Sequence, residues 1–216
     1  MARVSNTLIG KASGSIGNAT FSSWKGINVL KEKASSVANP KTDKQLMRRS
    51  ALSQMVAIFR VISAVASLGF KKLAVKKSAF NAFVGNSLKT AFDYTLPPAA
   101  SLVMANLLVS KGTITSTTIT SIVADRSENT IEVNYAATID GPGQSLADKP
   151  VIVMYNQNLD VWAQGLPDQL RSTGTAFTDL PATWNTGDSL NVFVGFYNED
   201  SGESSDSVHG TTVIVA

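Results

Sequence analysis

The sequence predicts an α+β protein in three parts: a β-hairpin arm over residues 1–40, a helical hairpin over 41–96, and a C-terminal antiparallel β-sandwich of immunoglobulin or fibronectin III type over 97–216. Three observations predict it. Short alternating runs punctuated by glycine fill the first forty residues, apolar residues then recur every three or four positions, and after Pro97-Pro98 the period changes to two. The chain has 216 residues, 44% of them hydrophobic, enough to bury a core without covalent staples.

In the arm, Ala19-Thr20-Phe21-Ser22 and Ile27-Asn28-Val29-Leu30 flank Trp24-Lys25-Gly26, which reads as two strands joined by a tight turn at Lys25-Gly26. An isolated hairpin is marginal in water, so the arm is expected to need a neighbour to order it. The alternative is a flexible basic tail. Next, Pro40 disfavours helix at Asn39, while Thr42 or Asp43 can cap a helix starting there. Leu52, Met55, Val56, Phe59, Ile62 and Ala66 then share one face of that helix, which runs to about Leu68, with Gly69 ending it. Ser78 can cap a second helix that carries Phe80, Phe83, Val84, Leu88, Ala91 and Phe92 on one side, as far as the break at Pro97-Pro98. Lys71, Lys72, Lys76 and Lys77 cluster at the bend between them. The last part holds seven β-rich runs, at 113–123, 130–138, 151–155, 161–164, 173–177, 190–197 and 211–215, separated by Gly, Pro, Asn and Asp; this spacing suits a sandwich.

Charge divides the chain. Up to Leu96 there are fifteen Lys and Arg against three acids, a net of +12; from Pro97 onward there are four against thirteen, a net of −9. Such asymmetry points to a basic part that meets nucleic acid, an anionic surface or an acidic protein, which another copy's C-terminal part could supply.

Catalytic chemistry finds little support. No cysteine is present, which excludes a disulfide framework, a thiolate zinc site and a cysteine nucleophile. The single histidine, His209, has no G-x-S-x-G partner motif and reads as a surface or strand-edge residue. Gly10-Lys11-Ala12-Ser13-Gly14 lacks the lysine that a phosphate loop places after its second glycine. The loop from Glu199 to Asp206 holds four carboxylates, which could attract calcium but departs from the EF-hand pattern and reads better as a solvated acidic loop. Asp140 and Asp160 could act as a glycosidase pair only if the fold joined them. Trp162 and Trp184, near turns, could stack on sugars or fill the core. No catalytic residue, metal or cofactor is therefore assigned. A secretory h-region is missing, Leu8 and Ile9 being the only nearby large apolar residues. Val61 to Phe70 is about half the roughly 20 residues a membrane helix needs, so no span is expected.

Gly14-Ser15-Ile16-Gly17-Asn18, Trp24-Lys25-Gly26, Asn39-Pro40-Lys41-Thr42 with Gln45-Leu46 and a basic pair, Ala79-Phe80-Asn81 and the Ig-like tail together form a pattern. It resembles a family of uncharacterised proteins from Bacteroidetes and their phages, known as a domain of unknown function. The resemblance covers nearly the whole chain. It implies no activity or site residues, but the phage association suggests a virion part.

The resulting expectation is a non-enzymatic virion structural or assembly protein, made in the host cytoplasm: a capsid, decoration or head-tail component. Its partners would be further copies or other virion proteins, with no membrane. Phe21, Trp24, Ile27 and Val29 would anchor the arm in a neighbour, unless they serve an intramolecular core. Lys11, Lys25, Lys31, Lys33, Lys41, Lys44, Arg48 and Arg49 form the expected basic contact surface. The alternatives are a sequence-independent nucleic-acid-binding packaging protein using that basic half, and a host surface module binding glycan or protein.

Overall fold

The computed structural model describes residues 2–3, 13–24, 27–36 and 39–216. The chain divides into two compact units, Met1–Lys41 and Thr42–Ala216.

The first unit is a four-stranded antiparallel sheet of β1 (Ala2–Arg3), β2 (Gly14–Ile16), β3 (Ala19–Trp24) and β4 (Ile27–Glu32), in the order β1-β4-β3-β2. β3 and β4 form the expected hairpin, with Trp24 paired to Ile27 across residues 25 and 26, which lie outside the described residues. The arm is thus larger than a hairpin, because β1 and β2 add an outer strand on each side.

The second unit begins with α1 (Asp43–Gly69) and α2 (Ala79–Thr90). Thr42 occupies the N-cap of α1 without a side-chain capping bond, whereas Ser78 caps α2 by accepting from the Asn81 N–H at 3.2 Å. α2 stops at Thr90, short of the prolines; β5 (Phe92–Asp93) and β6 (Ser101–Leu102) then form a small ladder. The buried face of α1 is Met47, Ala51, Met55, Ile58, Ile62, Val65 and Ala66. It is rotated from the expected one: Leu52 is 43% exposed, and Val56 and Phe59 are only partly covered. Two apolar stripes run along this helix, and contact with the sheet selects one of them. By length and composition α1 could cross a bilayer, which the shorter Val61 to Phe70 stretch does not suggest; a third of its apolar window is buried inside the protein.

Gly69 ends α1 for a different reason from the one expected. It holds no left-handed conformation; instead, a Cβ there would lie 2.5 Å from Ser110 Cβ, and its carbonyl accepts from Ser204 Oγ at 2.7 Å and from the Lys111 N–H at 2.9 Å. Glycine is required because the helix end is pressed against the strand-connecting segments.

All seven expected strands form: β7 (Ile119–Asp125), β8 (Thr130–Tyr135), β9 (Lys149–Asn156), β10 (Val161–Gly165), β11 (Thr175–Asp179), β12 (Ser189–Tyr197) and β13 (Val208–Val215). They make one hydrogen-bonded sheet, β10-β9-β12-β13-β7-β8-β11, antiparallel except for the short parallel pairing of β13 with β7. The sheet curls like a barrel rather than separating into two distinct layers. Its edge strands β10 and β11 converge at one end, where a Cβ on Gly165 would collide with the Thr178 side chain. Inside the curl lie Ile131, Val133, Ile152, Met154, Trp184, Val192, Val194 and Phe196.

Alternation along β9 and β12 gives a second core. Ile152 and Met154 point inward, while Val151, Val153 and Phe193 join the cluster of α1 and α2 residues on the outer face. Both faces of these central strands are therefore buried, which is why Val151 to Met154 and Val192 to Phe196 are almost uninterrupted apolar runs. The class is α+β, with helices and sheet sharing one core.

Candidate functional site

The arm sheet is the first candidate. Among the residues whose side chains are described, none is buried. Cross-strand register puts Phe21 opposite Leu30 and Ile16 opposite Ala19 on one face, with Ile27 and Val29 on the other. Phe21, Ile27 and Val29 are each only partly covered, and Ile16 is 75% exposed. For Trp24 only the backbone is described. The expected anchors are thus distributed over both faces of a thin sheet.

The expected basic surface is also divided. Lys11 and Lys25 lie outside the described residues. Lys31, Lys33 and Lys41 are exposed on the first unit. Lys44, Arg48 and Arg49 lie on the first turns of α1, and Arg48 is spent within the protein: its Nη1 donates to the Leu88 carbonyl at 3.2 Å and its guanidinium sits 3.9 Å over the Tyr94 ring.

The acidic loop finds its cations inside the second unit. Lys72 Nζ lies 3.3 Å from Glu203 and Lys149 Nζ lies 2.8 Å from Glu199. Thr113 Oγ1 donates to Glu203 at 2.7 Å, and Asp206 accepts from the Gly112 N–H. The bond from Lys149 holds the Glu199 carboxyl below the usual range; for Glu203 the Thr113 bond does so first and Lys72 second. Part of the charge asymmetry read from the sequence therefore cancels where the helical bend meets this loop.

A groove of about 620 Å³ opens between α1, β6 and β10. Ile58, Val61, Leu102, Met104 and Val161 give it apolar walls, and Trp162 lines it beside Tyr155, their ring centroids 4.7 Å apart. Asp160, at the mouth, accepts a 2.8 Å hydrogen bond from the Tyr155 hydroxyl. Burial and this bond push the Tyr155 pKa up to about 12, so the phenol stays a donor at ordinary pH. One wall is fixed by the opposite edge strand. Ile62 leaves helical geometry (φ −93°, ψ 19°), and the Val65 N–H instead donates to Gln164 Oε1 of β10 at 3.2 Å. Sequence reading misses this groove; its signal is the apolar run of β9, which needs cover on both faces.

The remaining chemical candidates are occupied by structure. His209 Nε2 lies 2.8 Å from Asn191 Oδ1, its ring is 5.0 Å from Phe193, and burial lowers its pKa. Asp140 accepts from Thr138, whereas Asp160 accepts from Tyr155. The two tryptophans separate: Trp184, 2% exposed, fills the core, and only Trp162 reaches the groove. Asp148 and Arg171 form a fully buried ion pair at 3.2 Å, with the guanidinium 4.0 Å over Phe196.

A family model described as a family of unknown function (DUF6266) matches residues 11–210, so the chain belongs to that family. No curated protein matches it.

Proposed function

We propose that this chain is a non-enzymatic assembly protein, a structural component of a phage virion, whose arm sheet completes itself on a neighbouring subunit. One observation carries the reading: the arm is a four-stranded sheet with apolar residues on both faces and, among the side chains that are described, none buried. A sheet without a core does not stand alone in water, so its stability has to come from its docking partner. The second unit has the opposite character, with two cores and both faces of its central strands covered. It serves as the rigid body that carries the arm.

We read its curled sheet as an immunoglobulin or fibronectin III arrangement. The strand order supports this: β10-β9-β12-β13 would form one layer and β7-β8-β11 the other, with the parallel β13–β7 pairing stitching them together. The virion assignment rests on the family resemblance and on the frequent pairing of such a domain with an assembly arm, an argument from architecture.

A packaging role is favoured by one feature, the six Lys and Arg against one acid in Met1–Lys41. Salt separates the two readings. Phosphate contacts weaken steeply with ionic strength, while apolar burial and strand addition weaken little. Light scattering on the purified chain at low and high salt is expected to give one defined oligomer under both conditions. A monomer would overturn the assembly role, and a nucleic-acid-containing aggregate that dissolves with salt would establish the packaging one.

A further inference from the structure

We infer that the outward face of β7, β8 and β11, continued by the end of β13, receives the arm of a second copy through the arm face that carries Ile27, Val29 and Lys31. This rests on the assembly role proposed above and names a receiving surface. Strand alternation defines that surface. Ala124, Ile131, Val133, Ala176 and Ile214 point into the core, so Val123, Phe177, Val213 and Val215 point outward, and they are 42% to 49% exposed. Register sets Glu132 between Val123 and Phe177, and Thr130 between Asp125 and Asp179. The corresponding outward residues of β9 and β12 are instead covered by α1 and α2.

The face is acidic as well as apolar. Its strands and the β7–β8 turn hold four carboxylates, Asp125, Glu128, Glu132 and Asp179, against one Lys or Arg, Arg126. Arg126 is already engaged, donating from Nη1 and Nη2 to the Pro181 and Ala182 carbonyls. On the arm, register groups Ile27, Val29 and Lys31 with Thr20 and Ser22, and puts Glu32, the only acid in Met1–Lys41, on the other side. The Lys31 face is therefore apolar and basic where the receiving face is apolar and acidic. Two receiving faces would set carboxylate against carboxylate, so each surface selects the other and rejects its own kind. Dimensions agree: the arm's two long strands have six residues each and the receiving strands five to eight, which suits two sheets packed face to face about 10 Å apart. The opposite arm face, with Ile16, Phe21 and Leu30, takes its cover elsewhere in the assembly. Because every copy both donates an arm and offers a face, the interface is heterologous and generates a ring or a filament.

The chain contains no cysteine, which allows a clean test. Two full-length chains are mixed under mild oxidation, one carrying Val29→Cys and the other Val123→Cys. The expected product is the mixed disulfide dimer, in clear excess over the adduct of Val29→Cys with Val61→Cys, a control position on α1 with the same 42% exposure as Val123. Adding Glu132→Lys to the receiving chain should slow formation of the mixed dimer about tenfold, corresponding to roughly 1.4 kcal/mol, and Lys31→Glu on the other chain should restore it. Equal adducts with Val123→Cys and Val61→Cys would overturn the inference. So would efficient closure within one chain carrying both Val29→Cys and Val123→Cys, which would place the arm on its own sheet. If the unsubstituted chain is an arm-dependent oligomer yet gives no mixed adduct, only the assignment of this face fails. If it is a monomer, the assembly role fails with it.

Discussion

The two units of this protein follow opposite rules. In Thr42–Ala216 every long element has a face to bury and something to bury it against: α1 and α2 cover the outer face of β9 and β12, and the curled sheet encloses the other. In Met1–Lys41 four strands pair through their backbones, yet no described side chain is buried. Backbone pairing alone defines a shape but leaves little stability, since burial supplies most of the driving force. The comparison teaches that backbone pairing without a described core is what the proposed assembly role would have to complete.

Substitutions in the two units should therefore behave differently. Phe83 is fully buried and packs edge-on against Phe70 at 5.6 Å; Phe83→Ala is expected to cost about 3–5 kcal/mol in chemical denaturation. Phe21→Ala should cost less than about 0.5 kcal/mol in the same experiment while disrupting the proposed oligomer, which light scattering would detect. A comparable loss of stability from both would erase the distinction. Nearly as large is the effect expected at the buried ion pair. Arg171→Ala leaves Asp148 charged in the interior, still accepting from Ser145 N and Asn198 Nδ2, at a cost of about 3–5 kcal/mol. The double variant Arg171→Met/Asp148→Asn should cost clearly less than the sum of its single substitutions, which a double-mutant cycle measures.

A smaller effect is expected at the helix kink. Gln164→Leu removes the acceptor of the Val65 N–H and should lower stability by about 1–2 kcal/mol, with faster amide exchange at Val65 and its neighbours. The smallest effect concerns pH. Burial lowers the His209 pKa from its ordinary 6.5, so the unfolded chain takes up a proton more readily than the folded one. The neutral, half-buried ring contributes fully above 6.5, and stability declines as the pH falls below that value. A His209→Gln variant should show a flatter stability profile through this window in thermal melts.

Local signals in the sequence locate most elements, and long-range contacts supply the rest. Ser78 is readable as a cap because the bond it makes spans three residues, and the seven β runs are readable because turn residues separate them. Spacing puts Leu52 on the buried face because spacing alone cannot choose between two apolar stripes on one helix. The pairing of Lys72 with Glu203 joins the two oppositely charged parts of the chain, so the charge asymmetry looks greater in the sequence than it is in the folded unit. The groove depends on Gln164 meeting a kink at Ile62, a coincidence of two elements that neither announces separately. For the arm, alternation gives the hairpin but not its outer strands, since β1 and β2 have two and three residues and are too short to show a period.

The most direct test removes residues 1–38 and compares the remainder with the full chain by thermal melting and light scattering. The shortened protein is expected to melt with the full chain and to be a monomer where the full chain is an oligomer. A shortened protein that still assembles, or one that no longer folds, would contradict the claim that the arm serves assembly while Thr42–Ala216 stands by itself.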